Sequence, residues 1–450
     1  PLEFLLFSDF AVVLTYVQDG GAFPARPSRR IVLGDDVTAI LTADIEGNAA
    51  RELLALDDRG LVILRGGEEH QAHKKPERLL ELANRFYRPA ADSVEHVHRT
   101  VDLNGDGRDD LVLPSTGGYR VLWGRKGGGL EPGPLFKATQ KTEYGWGWGN
   151  TWFVMTDSLP ACVIADTNGD RRADIVLRDE ETLTIFEQKR DGTFPDKGRA
   201  VEIDTPDAGG GGKGPAPDTV HSTMLLHADV DSNGRMDLLS VGTEGQLSLF
   251  SSFAITVRLH KNDRRKGLST EPDQAIRLQG TTLGAHLADL SGDGRPDLVV
   301  PVIDTALFSN LVDRLKGRMK VTYNVFFFEK TFFSRNPTFT HTTWIPYDVV
   351  EGKTGIPQAE FPGDFNGDGR IDMLYADRPD RLGMFVVERD DPWFGGPTYS
   401  IDDKPMAVLE IENPGPTLTR DLNGDGRADL VVRYRPGAEN SDRIVIMMSR

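Results

Sequence analysis

Six stretches of this 450-residue chain place oxygen-bearing side chains at the first, third, fifth and ninth positions of a nine-residue run. They are Asp102, Asn104, Asp106 and Asp110; Asp166, Asn168, Asp170 and Asp174; Asp229, Asp231, Asn233 and Asp237; Asp289, Ser291, Asp293 and Asp297; Asp364, Asn366, Asp368 and Asp372; and Asp421, Asn423, Asp425 and Asp429. Glycine usually stands at positions 4 and 6, and a short apolar run follows at once, as in Leu111-Val112-Leu113. Hard cations such as Ca²⁺ take about six to eight oxygen ligands from tight, glycine-bent loops. In such a turn alternate side chains can face one centre, while glycine accepts positive φ. The residues therefore read as about six Ca²⁺ sites. The plainer alternative for the same acids is a set of Asx turns. A worn seventh copy, Asp44, Glu46, Asn48 and Glu52, lacks glycine at position 6.

Neighbouring loop types fit less well. An EF-hand needs a bidentate Glu at position 12 and flanking helices. Here position 12 is Leu113, Leu177, Val300, Tyr375 or Val432, each inside an apolar run. One loop alone would be a weak signal, whereas six in register are a strong one.

The loops begin at residues 44, 102, 166, 229, 289, 364 and 421. A recurrence of this length is the mark of a repeat architecture. Each repeat reads as a strand A before the loop and a strand B after it. Strand C follows, as in Tyr119–Trp123, Leu183–Phe186 or Gly383–Val387, and then a weaker strand D, as in Ala200–Ile203, Gln274–Leu278 or Ala407–Ile411. Short β-branched runs between turn residues indicate an all-β fold, and four strands per repeat is the pattern of a β-propeller blade. Residues 2–34 supply B, C and D without A, and the last repeat supplies A, B and C without D. Eight four-stranded sheets are the expectation, a seven-bladed ring the alternative. The chain reads as one propeller over 1–450, with a partial blade at 1–38 and repeats from near 39, 97, 161, 224, 284, 359 and 416.

The runs at 102–111 and 421–430 resemble the FG-GAP and VCBS repeats of integrin α-chain propellers and many secreted bacterial proteins. The resemblance implies side-chain ligation of Ca²⁺ from positions 1, 3, 5 and 9, with a carbonyl from position 7, such as that of Arg108. The Phe-Gly and Gly-Ala-Pro segments of the family are missing here; Val241-Gly-Thr-Glu244 is the nearest echo. Arg171 replaces the second glycine of one loop.

The net charge is −17. The six loops hold 18 of the 69 acids, and the remaining 51 nearly match the 52 bases. The acidity is thus concentrated in the loops, and no basic stripe suited to nucleic acid stands out. No apolar run reaches 18 residues, so no transmembrane helix is visible. The single cysteine, Cys162, reads as a small buried hydrophobe.

Other features are less specific. Leu307, Leu311, Leu315 and Met319 recur every four residues and suggest a short helix within 303–320. Residues 209–215 read as a flexible glycine-rich loop. Trp146, Trp148 and Trp152, and separately Trp393, can stack on a sugar or fill a partner's pocket, or simply anchor a blade. His98, His227 and His286 precede loops and read as packed structural residues. No nucleophile, metalloprotease or nucleotide-binding motif is present.

The expectation is a Ca²⁺-stabilised propeller at the cell surface or outside the cell. It would bind a protein or glycan, with a carbohydrate-active enzyme as the alternative. Three carboxylates per loop repel one another unless a cation fills the loop, which suits a Ca²⁺-rich compartment. Export is expected, through a signal segment upstream of Pro1.

Overall fold

The computed structural model describes residues 3–8, 12–19, 23–48, 50–64, 76–82, 95–96, 100–146, 153–179, 182–204, 219–246, 253–282, 284–303, 317–346, 359–378, 380–411, 414–434 and 443–449. Every regular element among them is a β-strand. The chain divides into two compact units, Pro1–Glu202 and Ile203–Arg450.

Among the described residues eight sheets, antiparallel but for one added strand, follow the expected A-to-D order. In the first unit Glu3–Ser8, Val12–Val17 and Arg29–Val32 form a sheet of three strands. Ala39–Ala43, Glu52–Asp57, Gly60–Ile63 and Glu77–Glu81 form the next, extended by Glu95–His96 lying parallel to its A strand. The third runs from Thr100–Val101 to Leu130–Lys137 and the fourth from Ala161–Ala165 to Arg199–Glu202. In the second unit, sheets begin at Thr219–Ala228, at Thr281–Thr282 with His286–Ala288, at Glu360–Gly363 and at Pro414–Arg420. The last has three strands and ends at Ile444–Met447. Three two-stranded hairpins add to these, at 141–158, 262–268 and 387–401.

The B strands show why the sheets stack. Asp110–Ser115 is buried along almost its whole length. Leu111 and Leu113 belong to a core shared with Leu41, Leu54 and Leu61 of the preceding sheet. Val112 points the other way, into a core with Ile175, Leu177 and Phe186 of the following one. A strand covered on both faces needs a continuous apolar run rather than alternation. In the second unit Leu298 and Val300 join the core of the preceding sheet, and Val299 and Ile303 the core of the sheets that follow. Within each unit, consecutive sheets therefore pack face to face. The D strands alternate and lie half open, as Gln274–Gln279 does. The fold is β-propeller-like.

Some sequence expectations change. Met319 lies in the strand Arg318–Phe326, not in a helix. Leu307, Leu311 and Leu315 fall outside the described residues, as do residues 209–215, His98, Trp148 and Trp152. Strand C of the seventh sheet ends at Phe385, and Val387–Asp390 starts a separate hairpin with Thr398–Ile401. Cys162 is half-buried.

Two loop positions carry a non-glycine residue at positive φ, Arg171 at 66° and Ser232 at 57°. They occupy the slots where the other loops have glycine. The Arg171 N–H donates to the Asp166 carboxylate at 2.7 Å, so the backbone geometry is needed and the side chain is not. Left-handed backbone costs an L-residue about 1–2 kcal/mol, offset in part by the greater unfolded entropy of glycine. Arg171→Gly is expected to raise unfolding stability by about 0.5–1 kcal/mol in denaturant titrations. A loss of stability would show that the Arg171 side chain makes a contact the fold depends on.

Candidate metal loops

Each loop is built around its first aspartate. Asp102 accepts the N–H groups of Gly105, Asp106 and Gly107 at 2.7, 3.1 and 2.8 Å. Asp289 does the same with Gly292, Asp293 and Gly294, and Asp364 with Gly367, Asp368 and Gly369. Asp166, Asp229 and Asp421 repeat the pattern. At position 3, the Asn104, Asn168, Asn366 and Asn423 amide oxygens each accept the N–H of position 5. Ser291 donates to Asp289 instead.

The ninth aspartate closes the loop onto the sheet. Asp110, Asp174, Asp237, Asp297, Asp372 and Asp429 are each 0 or 1% exposed. One oxygen accepts the N–H of position 2: Leu103, Thr167, Val230, Leu290, Phe365 or Leu422. The other accepts an N–H at or just beyond the end of strand C: Gly124, Gln188, Asn262, Phe328, Val387 or Ser449. In the worn copy Glu52 takes this role, accepting the Ile45 N–H at 3.0 Å, and Asp44 accepts from Gly47 and Asn48.

Burial raises the ninth carboxyls of Asp110, Asp174, Asp237, Asp297 and Asp372, with neighbouring loop carboxylates adding to the effect and backbone N–H groups opposing it. Asp110 and Asp372 are pushed up to about 6, and Asp237 and Asp297 to about 7. Asp174 is also raised, chiefly by burial. A folded-state pKa above the unfolded value favours the protonated fold. That stability is complete below about pH 4 and is lost as pH rises through 6 to 7. Metal-free protein is therefore expected to melt progressively lower between pH 4.5 and 7.5, and 2 mM Ca²⁺ to abolish the decline. A flat metal-free profile across this range would contradict the assignment.

The fifth aspartate and the seventh residue carry a feature that was missed in the sequence. Arginine stands at position 7 of all six loops. Arg108, Arg172, Arg295 and Arg370 each pair with the fifth carboxylate of their own loop: Asp106 at 3.3 Å, Asp170, Asp293 at 2.5 Å and Asp368. Arg108, Arg370 and Arg427 also lie against the preceding loop. A Cβ added to Gly47 or Gly292 would stand 3.0 or 3.1 Å from Cγ of Arg108 or Arg370, and one on Gly367 would stand 3.0 Å from Nε of Arg427. The N–H of position 8 then donates to the position-1 carbonyl of the preceding loop: Asp109 to Asp44 at 2.9 Å, Ile371 to Asp289 at 2.8 Å and Ala428 to Asp364 at 2.7 Å. The loops at 44 and 102, 289 and 364, and 364 and 421 are thus fastened to one another.

Whether the loops suit a hard cation can be judged from their donors. Asp229, Asp231 and Asp237 present carboxylate oxygens all within 4.8 Å of one another. Oδ1 of Asp231 is buried and lacks a hydrogen-bond partner. That loop fits a divalent cation directly. Among the described residues the other five predicted loops do not gather three carboxylates this closely. Their third residue is neutral, and in four of them the fifth carboxylate is turned onto arginine; a cation would have to draw it back. The grouping of Asp36, Asp57 and Asp58 is of another kind, because Asp57 is bound by Arg78 and by the Arg59 and Gly60 N–H groups.

The loop at 229–237 also contains an internal cation. Nζ of Lys261 lies 2.7 Å from Oδ2 of Asp231, and both side chains are more than four-fifths buried. The same ammonium donates to the Thr331 carbonyl at 3.3 Å. A charge so placed opposes a second cation and holds the loop without one. Lys261→Met is expected to tighten Ca²⁺ binding at this loop on the order of tenfold, read by calorimetric titration. Unchanged affinity would show that Asp231 does not face the metal.

Residues 229–300 match the profile of the FG-GAP-like repeat, and the chain carries that repeat there. No curated protein matches the chain. Among solved structures it is similar to one described as showing specific recognition of non-reducing terminal N-acetylglucosamine by a lectin of Agrocybe aegerita. The identity is 17% and the TM-score 0.39, over 83% of this chain and 85% of that one. It is also similar to the V. cholerae biofilm matrix protein Bap1, at 14% identity and a TM-score of 0.29, over 99% of this chain and 74% of that one. Likenesses this distant say nothing of what the chain binds.

Proposed function

We propose that the chain is a calcium-stabilised β-propeller, exported from the cell, that serves as a binding and adhesion module for a protein or glycan. The observation that carries this reading is the repeated loop. Six times a caged first aspartate and a buried ninth aspartate fix an acidic turn between strands A and B of a stacked sheet. The residues that would hold Ca²⁺ are those at positions 1, 3, 5 and 9, with the position-7 carbonyl. The cation would supply charge neutralisation and cross-linking of the turn, with no part in bond-breaking chemistry. Ligand binding would fall to the loops on the faces of the blades, since function resides in sites grafted on a fold.

Closure of the eight sheets into one ring belongs to the same proposal, as does export. Free Ca²⁺ in cytosol lies far below the weak dissociation constants expected for such loops, about 10⁻⁴–10⁻³ M. The test is binding of the full chain to arrays of glycans and surface proteins in 2 mM Ca²⁺ and in chelator. Saturable, calcium-dependent capture without product release supports the module. Turnover of a polysaccharide contradicts it in favour of an enzyme. A cytosolic native pool, with no export signal on the precursor, contradicts the location.

A further inference from the structure

The two most exposed large apolar side chains of the described residues are neighbours in the chain. Trp393 is 92% and Phe394 85% exposed at the tip of the hairpin Val387–Asp390/Thr398–Ile401. The stem is well held. Val387 and Ile401 are buried at its base. Tyr399 meets Phe327 edge to face, with ring centroids 4.6 Å apart. The Arg389 guanidinium lies over the Tyr399 ring and binds Asp391 at 2.9 Å. The two rings are thus presented on a braced support, with Gly395 and Gly396 leaving open space beside them.

Exposed aromatic pairs of this kind mark contact surfaces. The surrounding charge says what would meet them. Glu388, Asp390 and Asp391 are exposed on the stem, and Asp403 is exposed in the turn after it. Arg389 is engaged by Asp391 and Lys404 is exposed beside Asp403, so the two bases are outnumbered by Glu388, Asp390, Asp391, Asp402 and Asp403 and the hairpin with its following turn carries net negative charge. Such a collar repels nucleic acid and anionic lipid surfaces. It attracts ammonium and guanidinium groups, which also bind the faces of aromatic rings, tryptophan best.

We propose that this tip is the docking point for a lysine- or arginine-bearing segment of a protein partner. The assignment rests on the reading of the chain as a binding module, and it is independent of calcium. Trp393 and Phe394 would cover the stems of the basic side chains, while the carboxylates would receive their charged ends.

The test uses the full chain in 2 mM Ca²⁺ and a fluorescein-labelled ten-residue peptide of alternating lysine and alanine, followed by anisotropy. A glutamate–alanine peptide and neutral oligosaccharides serve as the other probes. Binding of the basic peptide alone is expected. Joint replacement Trp393→Ala with Phe394→Ala should weaken it at least tenfold at an unchanged melting temperature. Asp390→Asn with Asp391→Asn should weaken it several-fold and reduce its salt dependence. Equal binding by the aromatic variant would overturn the assignment, because the overall charge would then suffice. So would oligosaccharide binding that the aromatic variant abolishes, which would make the tip a glycan site. If neither basic peptide nor sugar binds the wild-type chain while the array experiment succeeds, this assignment falls alone. If the array experiment also fails, the binding-module reading falls with it.

Discussion

Removing calcium is expected to lower the melting temperature by about 9 °C if the chain melts as one unit; if its units melt separately, the second, which holds four of the six loops, should fall further than the first. At about 1 mM Ca²⁺ and a dissociation constant of about 10⁻⁴ M, each filled site adds about 1.4 kcal/mol. Six independent sites would add on the order of 8 kcal/mol. An unfolding entropy of about 2 cal/mol/K per residue turns that sum into the stated shift. The hydrogen bonds that link the loops at 289, 364 and 421 argue that these three sites do not act separately, so part of the loss on chelation should be steep in calcium concentration. Calorimetric scans across a calcium titration give the measurement. Identical melts with and without chelator would contradict the metal reading of all six loops.

The second large effect belongs to a single side chain. Asp297 is 1% exposed and accepts the Leu290, Ser291 and Phe328 N–H groups at 3.0, 2.9 and 2.9 Å. Asp297→Ala would leave these donors without an acceptor in a dry environment, at a cost of about 1–3 kcal/mol each. A loss of about 3–6 kcal/mol is expected without calcium, and in calcium the contribution of the site is lost as well. Asp293 in the same loop is exposed and paired with Arg295. Asp293→Ala is expected to cost no more than about 1 kcal/mol without calcium, the scale of a surface ion pair. In calcium it should additionally lose the contribution of its site. Denaturant titrations of both variants in both conditions separate the two roles. Equal losses without calcium would mean that position 9 does not fasten the loop to the sheet.

This division of labour marks the limit of what could be read beforehand. The B strands were legible because a strand covered on both faces must be apolar throughout, as Leu111-Val112-Leu113 is. The loops were legible because backbone cages of this shape demand Asp at position 1 and usually glycine at 4 and 6. The arginine at position 7 was also on view, but its partners were not: Arg370 reaches Asp368 in its own loop and Gly292 in the preceding one. Lys261 lies far along the chain from Asp231, and no local pattern joins them. The hairpin after Phe385 was hidden because Val387 prolongs the apolar run of strand C. Met319 carried a four-residue period by coincidence, while β-branched and aromatic neighbours such as Val321 and Tyr323 place it in a strand. The 44–52 copy illustrates the reverse case: Glu52 stands in for a ninth aspartate and closes the same turn.

The central claim is that the acidic loops hold calcium, and a count of bound metal tests it most directly. Full-length chain would be dialysed against 2 mM Ca²⁺, with bound ions counted by native mass spectrometry and elemental analysis. The expected result is five to six calcium ions per chain, with the loop at 229–237 filling last because Lys261 is already there, and one ion lost in Asp421→Ala. A chain that takes up no calcium under these conditions, or an Asp421→Ala chain that keeps every ion, would contradict the account.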